Sequence, residues 1–252
     1  MRVLVSNDDG LWSPGLQALI AELEPLGEVW AVAPDREQSA ASHAISLHRP
    51  LRMHRVHERQ FAVDGTPSDC IYLAMNHLLK DKRPDLVVSG VNHGANLADD
   101  VTYSGTVAAA MEGALFKVPA LAISLASQSR KWEFTHAARF GRSLAEAVLS
   151  HPLPQGALLN VNVPDGPIKG FAFTKLGKRS YGQVVDERTD PRGRHYYWIG
   201  GDAQGHEDVP GSDCNATYDE GLVSITPLHL DLTHYRLLDE VRGLRIEGYA
   251  GR

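Results

Sequence analysis

The chain has 252 residues, 43% apolar and 22% charged, which suits a globular protein of one large domain or a domain with an extension. Its 25 Lys and Arg against 31 Asp and Glu give a net charge of −6, which argues against a nucleic-acid polymer as the main partner. No apolar run approaches the ~20 residues that span a bilayer, and two cysteines are too few for a disulfide framework; a cytoplasmic protein is expected.

Residues 2–6 (RVLVS) are nearly all apolar, as in a strand buried on both faces. They run into Asn7-Asp8-Asp9-Gly10, a tight acidic turn, and then into Leu16, Leu19, Ile20 and Leu23 at helical spacing, stopped by Gly27. Residues 28–33 (EVWAVA) read as a second strand, so the opening is strand, helix, strand and the sheet is parallel. Residues 36–48 (REQSAASHAISLH) have little helix or strand signal. They form either an ordinary surface loop or, leaving a strand's carboxyl end, a ligand loop offering Ser39, Ser42 and His43. A short strand at 61–63 and a helix opened by Pro67 follow; Cys70 lies in that helix and reads as core. The strand 85–89 (DLVVS) ends in a glycine and asparagine loop, residues 90–96 (GVNHGAN).

Ser104-Gly105-Thr106 before VAAAMEGALF is a helix start with Ser104 as N-cap. Capping alone explains it, yet such a start is also an anion site. Residues 120–125 and 158–163 read as strands around a helix at 134–149. Beyond Pro164 the alternation fails: a strand at 171–176, an Arg-, Tyr- and Gly-rich hairpin at about 181–200, an acidic loop at 205–218, a strand at 222–226 and a short helix around 235–242. The expected architecture is therefore α/β: a Rossmann-like, doubly wound, mostly parallel sheet over residues 1–166. A C-terminal extension over 167–252 contains the hairpin and short helix and serves oligomerisation while packing back on the core.

Adjacent Asp8 and Asp9 repel each other unless a cation is shared. Carboxylates, hydroxyls and amide oxygens are hard ligands, suited to Mg²⁺, Mn²⁺ or Ca²⁺. Beside a helix N-terminus, such a cation is equipment for phosphate chemistry. The turn lacks the Asp-x-Asp spacing of aspartyl-phosphate enzymes and the G-x-G-x-x-G of a dinucleotide module, and no Walker-type loop occurs. Trp12 touches a substrate base or merely packs; packing is the expectation.

SNDDG at 6–10, APDREQSAAS at 33–42, GTPSDC at 65–70, SGVNHGANLADDVTYSGTVAAAMEG at 89–113 and SITPLHLDLT at 224–233 resemble the stationary-phase survival protein family, SurE, nearly end to end. The resemblance implies a divalent-metal-dependent phosphatase acting on nucleoside 5′- and often 3′-monophosphates, some members also trimming short polyphosphate. It implies one Mg²⁺ or Mn²⁺ per subunit on Asp8, Asp9, Ser39 and Asn92, with Asp8 and Asp9 also catalytic, and phosphate contacts from Asn96, Ser104, Gly105 and Thr106. Dimers or tetramers built through the C-terminal extension are implied too. The rival is a non-catalytic nucleotide sensor using the same site. His93, between Asn92 and Gly94, receives no role.

Overall fold

The computed structural model describes residues 1–127, 129, 132–182, 184–200, 203–247 and 249. Within the expected extension and hairpin, positions 183, 201, 202, 248 and 250–252 lie outside the described residues. β1 (Arg2–Ser6) leads through the acidic turn to α1 (Pro14–Leu23). Ser13 caps that helix, its hydroxyl accepting from Leu16 N at 3.4 Å, and Pro14 presets the first helical φ. The chain continues through β2 (Glu28–Pro34), β3 (Met53–His57), β4 (Gln60–Val63), α2 (Pro67–Leu73), β5 (Leu86–His93), α3 (Gly105–Leu115), β6 (Ala120–Ala126), α4 (Thr135–Ser150) and β7 (Ala157–Pro164). The extension adds β8 (Phe171–Phe173), β9 (Arg179–Tyr181), β10 (Val184–Thr189), β11 (His195–Gly200), β12 (Ala203–His206), β13 (Val223–His229) and α5 (Tyr235–Val241). No helix among the described residues is long and apolar enough to cross a membrane.

Nine strands form the main sheet in the order β3-β4-β2-β1-β5-β6-β7-β13-β8, and the block from β4 to β7 is parallel. From β1 the chain steps outward to β2 and β4, then crosses back to β5 and continues to β6 and β7. The winding thus reverses between β1 and β5, where a crevice opens at the strands' carboxyl ends.

Alternation along β1 divides the core into two layers. Val3 and Val5 join Leu16, Leu19 and Leu23 of α1 and Ala138 and Val148 of α4 on one face; Leu4 joins Ile71 of α2 and Ala109 and Ala110 of α3 on the other. Burying a side chain of Val or Leu size contributes about 1.5–3 kcal/mol, so these two layers are the main force fixing the helices on the sheet.

The structure adds one strand to the sequence reading and departs from it at two places. The added strand is β3, over residues left unassigned between the 36–48 loop and the strand at 61–63; its residues MHRVH are mostly exposed, and it is an edge strand paired antiparallel with β4. β5 runs on through residues 90–93, with its pairing to β6 shifted between Ser89 and Asn92. Gly90 makes that possible: its φ is +129° and a Cβ there would lie 2.2 Å from the Ile123 carbonyl oxygen. Finally, residues 205–218 are not an open acidic loop. Ser212, Asp213, Cys214, Ala216 and Thr217 are buried, because Asp213 accepts from Ala98 N at 2.9 Å and Gly177 N at 2.8 Å and so replaces missing ladder bonds. The expected hairpin does form, β10 against β11.

Candidate functional site

Asp8 and Asp9 leave the end of β1, and Asn92 and His93 close β5, so the switch between these strands is lined by carboxylate, amide and imidazole. The 36–48 loop passes over them, anchored where Gln38 N donates to Asp8 O at 2.7 Å and Ser42 N to Tyr103 O at 3.0 Å. A further tie is His43 Nε2, 2.8 Å from Glu112 Oε2.

The amino end of α3 presses on Asp8. A Cβ on Gly105 would come within 2.7 Å of Asp8 Cβ, so only glycine lets the helix begin there. Thr106, fully buried, donates its hydroxyl hydrogen to Asp8 Oδ1 at 2.5 Å, and Ser104 Oγ accepts from Val107 N at 3.0 Å. The helix end and the Thr106 hydrogen bond favour the ionised carboxylate. Burial opposes them and wins, with repulsion from Asp9 adding to it: the Asp8 pKa is pushed up to about 6.

Asp9 is also withdrawn from water, its side chain 7% exposed. Its Oδ1 lies 2.5 Å from His93 Nδ1, an ion-pair approach outside hydrogen-bond alignment. Contact with Asp9 raises the His93 pKa, against the opposing effect of burial. No Lys or Arg ion pair reaches either carboxylate among the described residues.

Asp8, Ser39, Asn92, Asn96 and Ser104 line one cavity of about 230 Å³. Asp9 borders the adjoining cavity instead, while Gly105 and Thr106 stand behind Asp8 as its packing surface and hydrogen-bond donor. Ser39 is exposed, its hydroxyl given to Glu37 Oε1 at 2.5 Å, and the Asn92 amide donates to Gly94 O at 2.9 Å.

Several supporting residues escaped the sequence reading. Asn96 N donates to Asn162 Oδ1 at 2.8 Å, its carbonyl accepts from Asn160 and Asn162, and its own amide donates to Ser124 Oγ. The available signal was the Asn-Val-Asn of LLNVNV, two amides two residues apart on one face of a buried strand. His93 and Asp100 also belong here. Asp100 borders the cavity and accepts hydrogen bonds from Arg179 Nη1 and Tyr181 Oη, so β9 of the extension reaches the rim.

A hard divalent cation fits this donor set. Buried Asp8 stands beside Asp9, whose side chain is 7% exposed; burial holds Asp8 toward its neutral form, and Asp9 Oδ1 is buried with no aligned donor. Among the described residues no three His, Cys, Asp or Glu side chains converge as a metal cluster, so such a site would draw on neutral oxygen donors as well, and Ser39 and Asn92 line the same cavity as Asp8.

Comparison with known proteins finds relatives over nearly the whole chain. The family model described as Survival protein SurE matches residues 3–183. The chain is 62% identical over 249 residues to the 5′-nucleotidase SurE of Myxococcus xanthus (strain DK1622), covering 98% of this chain and 95% of that one. It is 60% identical over 250 residues to the 5′-nucleotidase SurE of Anaeromyxobacter dehalogenans (strain 2CP-C), covering 99% and 98%. The crystal structure of the SurE protein from Aquifex aeolicus superposes with a TM-score of 0.86 at 40% identity, covering 96% of this chain and 98% of that one.

Proposed function

This chain belongs to the survival protein SurE family, and from that premise we propose that it is a divalent-metal-dependent phosphomonoesterase. Its substrates are nucleoside 5′-monophosphates and also 3′-monophosphates, which it converts to nucleoside and phosphate; short-chain polyphosphate is a further substrate. The observation that carries this reading is the convergence of Asp8, Ser39, Asn92, Asn96 and Ser104 on one cavity at the reversal of the sheet.

Asp8, Asp9, Ser39 and Asn92 hold one Mg²⁺ or Mn²⁺ per subunit. When bound, such a cation polarises a phosphoryl oxygen and lowers the pKa of a water molecule beside it. Asn96, the Ser104 hydroxyl and the free N–H groups at the amino end of α3, where Gly105 begins the helix, hold the phosphate oxygens and stabilise charge that grows there during in-line attack, while the buried Thr106 hydroxyl acts through its hydrogen bond to Asp8. One of the two aspartates takes the proton from the attacking water. The cluster of Asn160, Asn162 and Ser124 fixes Asn96 in place, which keeps the phosphate aligned.

Residues 1–166 carry this chemistry, and residues 167–252 join subunits into a dimer or tetramer. The support for assembly is a hairpin and a final helix that expose Trp198, Ile199, Tyr235 and Leu237. The protein works in the cytoplasm, where the free thiols of Cys70 and Cys214 persist.

The test is phosphate release from a panel of nucleoside 5′- and 3′-monophosphates with Mg²⁺, with Mn²⁺ and with a chelator. Release that requires metal and disappears in Asp8→Asn is expected. Tight nucleotide binding without release under every metal would leave the sensor and overturn the enzyme.

A further inference from the structure

A second cavity, of about 360 Å³, adjoins the first; Asp9 borders it and His93 borders both. Its size lies within the ~300–1,000 Å³ of small-molecule pockets. The walls are mostly apolar, with Trp12, Trp132 and Phe134 prominent among them. Phe134 is buried, but Trp12 is 60% exposed and Trp132 45% exposed. The ring that packing was expected to hide therefore remains available to a ligand. Trp132 also stacks at a tilt on His93, ring centroids 4.7 Å apart, which ties the aromatic wall to the residue that touches Asp9.

Two accessible indoles beside a phosphate site are the equipment for holding a flat aromatic ring. We infer that this cavity is the nucleobase subsite: Trp12 and Trp132 stack on the base while the phosphate ester lies across the His93–Asp9 contact, in the first cavity. The inference rests on the phosphomonoesterase reading and deepens it, because it names what the enzyme demands of the leaving group. Stacking uses the π-face that every base possesses, so purine and pyrimidine nucleotides are both accepted, and an ester without a base forfeits the contact.

The experiment compares adenosine 5′-monophosphate with ribose 5-phosphate in the wild type, Trp12→Ala, Trp132→Ala and Trp12→Phe. Each alanine variant is expected to lower the ratio of kcat/KM for the two substrates by about tenfold, within the range of one base–aromatic stack. The loss should fall in KM for the nucleotide and leave kcat near its starting value, and Trp12→Phe should retain most of the ratio. A ratio unchanged in both alanine variants would overturn the subsite. Should the wild type hydrolyse neither substrate under any metal, the phosphatase reading fails by itself. Binding of adenosine, which has no phosphate, then decides the subsite through tryptophan fluorescence: quenching lost in the alanine variants supports it, and no quenching in the wild type sinks it.

Discussion

In β1 Val3, Leu4 and Val5 are fully buried, whereas in β11 Tyr196, Tyr197, Trp198 and Ile199 are 41%, 58%, 62% and 93% exposed. Both strands are rich in β-formers. β1 lies mid-sheet with helices over both faces, while β10 and β11 form a separate two-stranded ribbon, a unit barely stable alone in water. Likewise α1 buries Leu16, Leu19, Ile20 and Leu23, and α5 buries nothing. In each region the informative residues are those that break its rule. In the buried sheet these are polar: Asp8, Asn96, Asn160 and Asn162 mark the site. On the extension they are apolar and exposed, and they form the surface through which assembly is proposed.

The sharpest way to break this comparison is Asp8→Asn. Phosphate release should fall more than about 100-fold, beyond the usual cost of losing an outer-shell partner of a metal site. Size-exclusion chromatography should show the oligomer unchanged; a parallel loss of assembly would mean that the two regions are not separate devices.

Next in size is a pH effect confined to the buried side. The folded Asp8 carboxyl is raised from 3.8 to about 6, so below the unfolded value the group is neutral in both states and costs nothing. As pH rises through that window, ionisation increasingly favours the unfolded chain, by up to about 3 kcal/mol. In chelator-treated protein the melting temperature should drop between pH 4 and pH 7 by more in the wild type than in Asp8→Asn. Equal slopes would show that Asp8 is not the group responsible.

On the exposed side, Trp198→Ala combined with Ile199→Asp should weaken self-association. A central aromatic anchor contributes about 2 kcal/mol or more, roughly a thirtyfold change in dissociation constant, readable by light scattering across a dilution series. An unchanged series would place the interface elsewhere. The smallest expected effect is Ser104→Ala, which removes the cap of α3 and should cost about 1 kcal/mol in urea unfolding.

Much of the parallel block was legible because its signals are local. Three apolar residues before Asn7-Asp8-Asp9-Gly10, the helical spacing of Leu16, Leu19, Ile20 and Leu23, and the Ser104 cap each announce themselves within a few residues. What escaped depends on distant partners. β3 went unassigned because an edge strand need bury little, and its strand character comes from pairing with β4. The buried 212–217 segment looks acidic until Asp213 is seen to satisfy the backbone of Ala98 and Gly177, far away in sequence. At the site, all the hard-donor side chains were visible in the loops, yet the cluster holding Asn96 was not, since Asn160 and Asn162 lie more than sixty residues away. Trp12 went the other way: a ring expected to pack stands in the open, a contrast that only a surface can show.

The sheet does not close in the order in which it is made. β13 lies between β7 and β8, pairing antiparallel with one and parallel with the other, although β8 precedes it in the chain by the whole β9–β12 segment. A nascent chain that has already emitted β8 therefore cannot yet seat it. At about 5–20 residues per second the wait lasts seconds, during which β7 presents an open, hydrogen-bonding edge to whatever is nearby. The insertion of one late strand thus leaves the β7 edge and β8 without their common partner until β13 has been made.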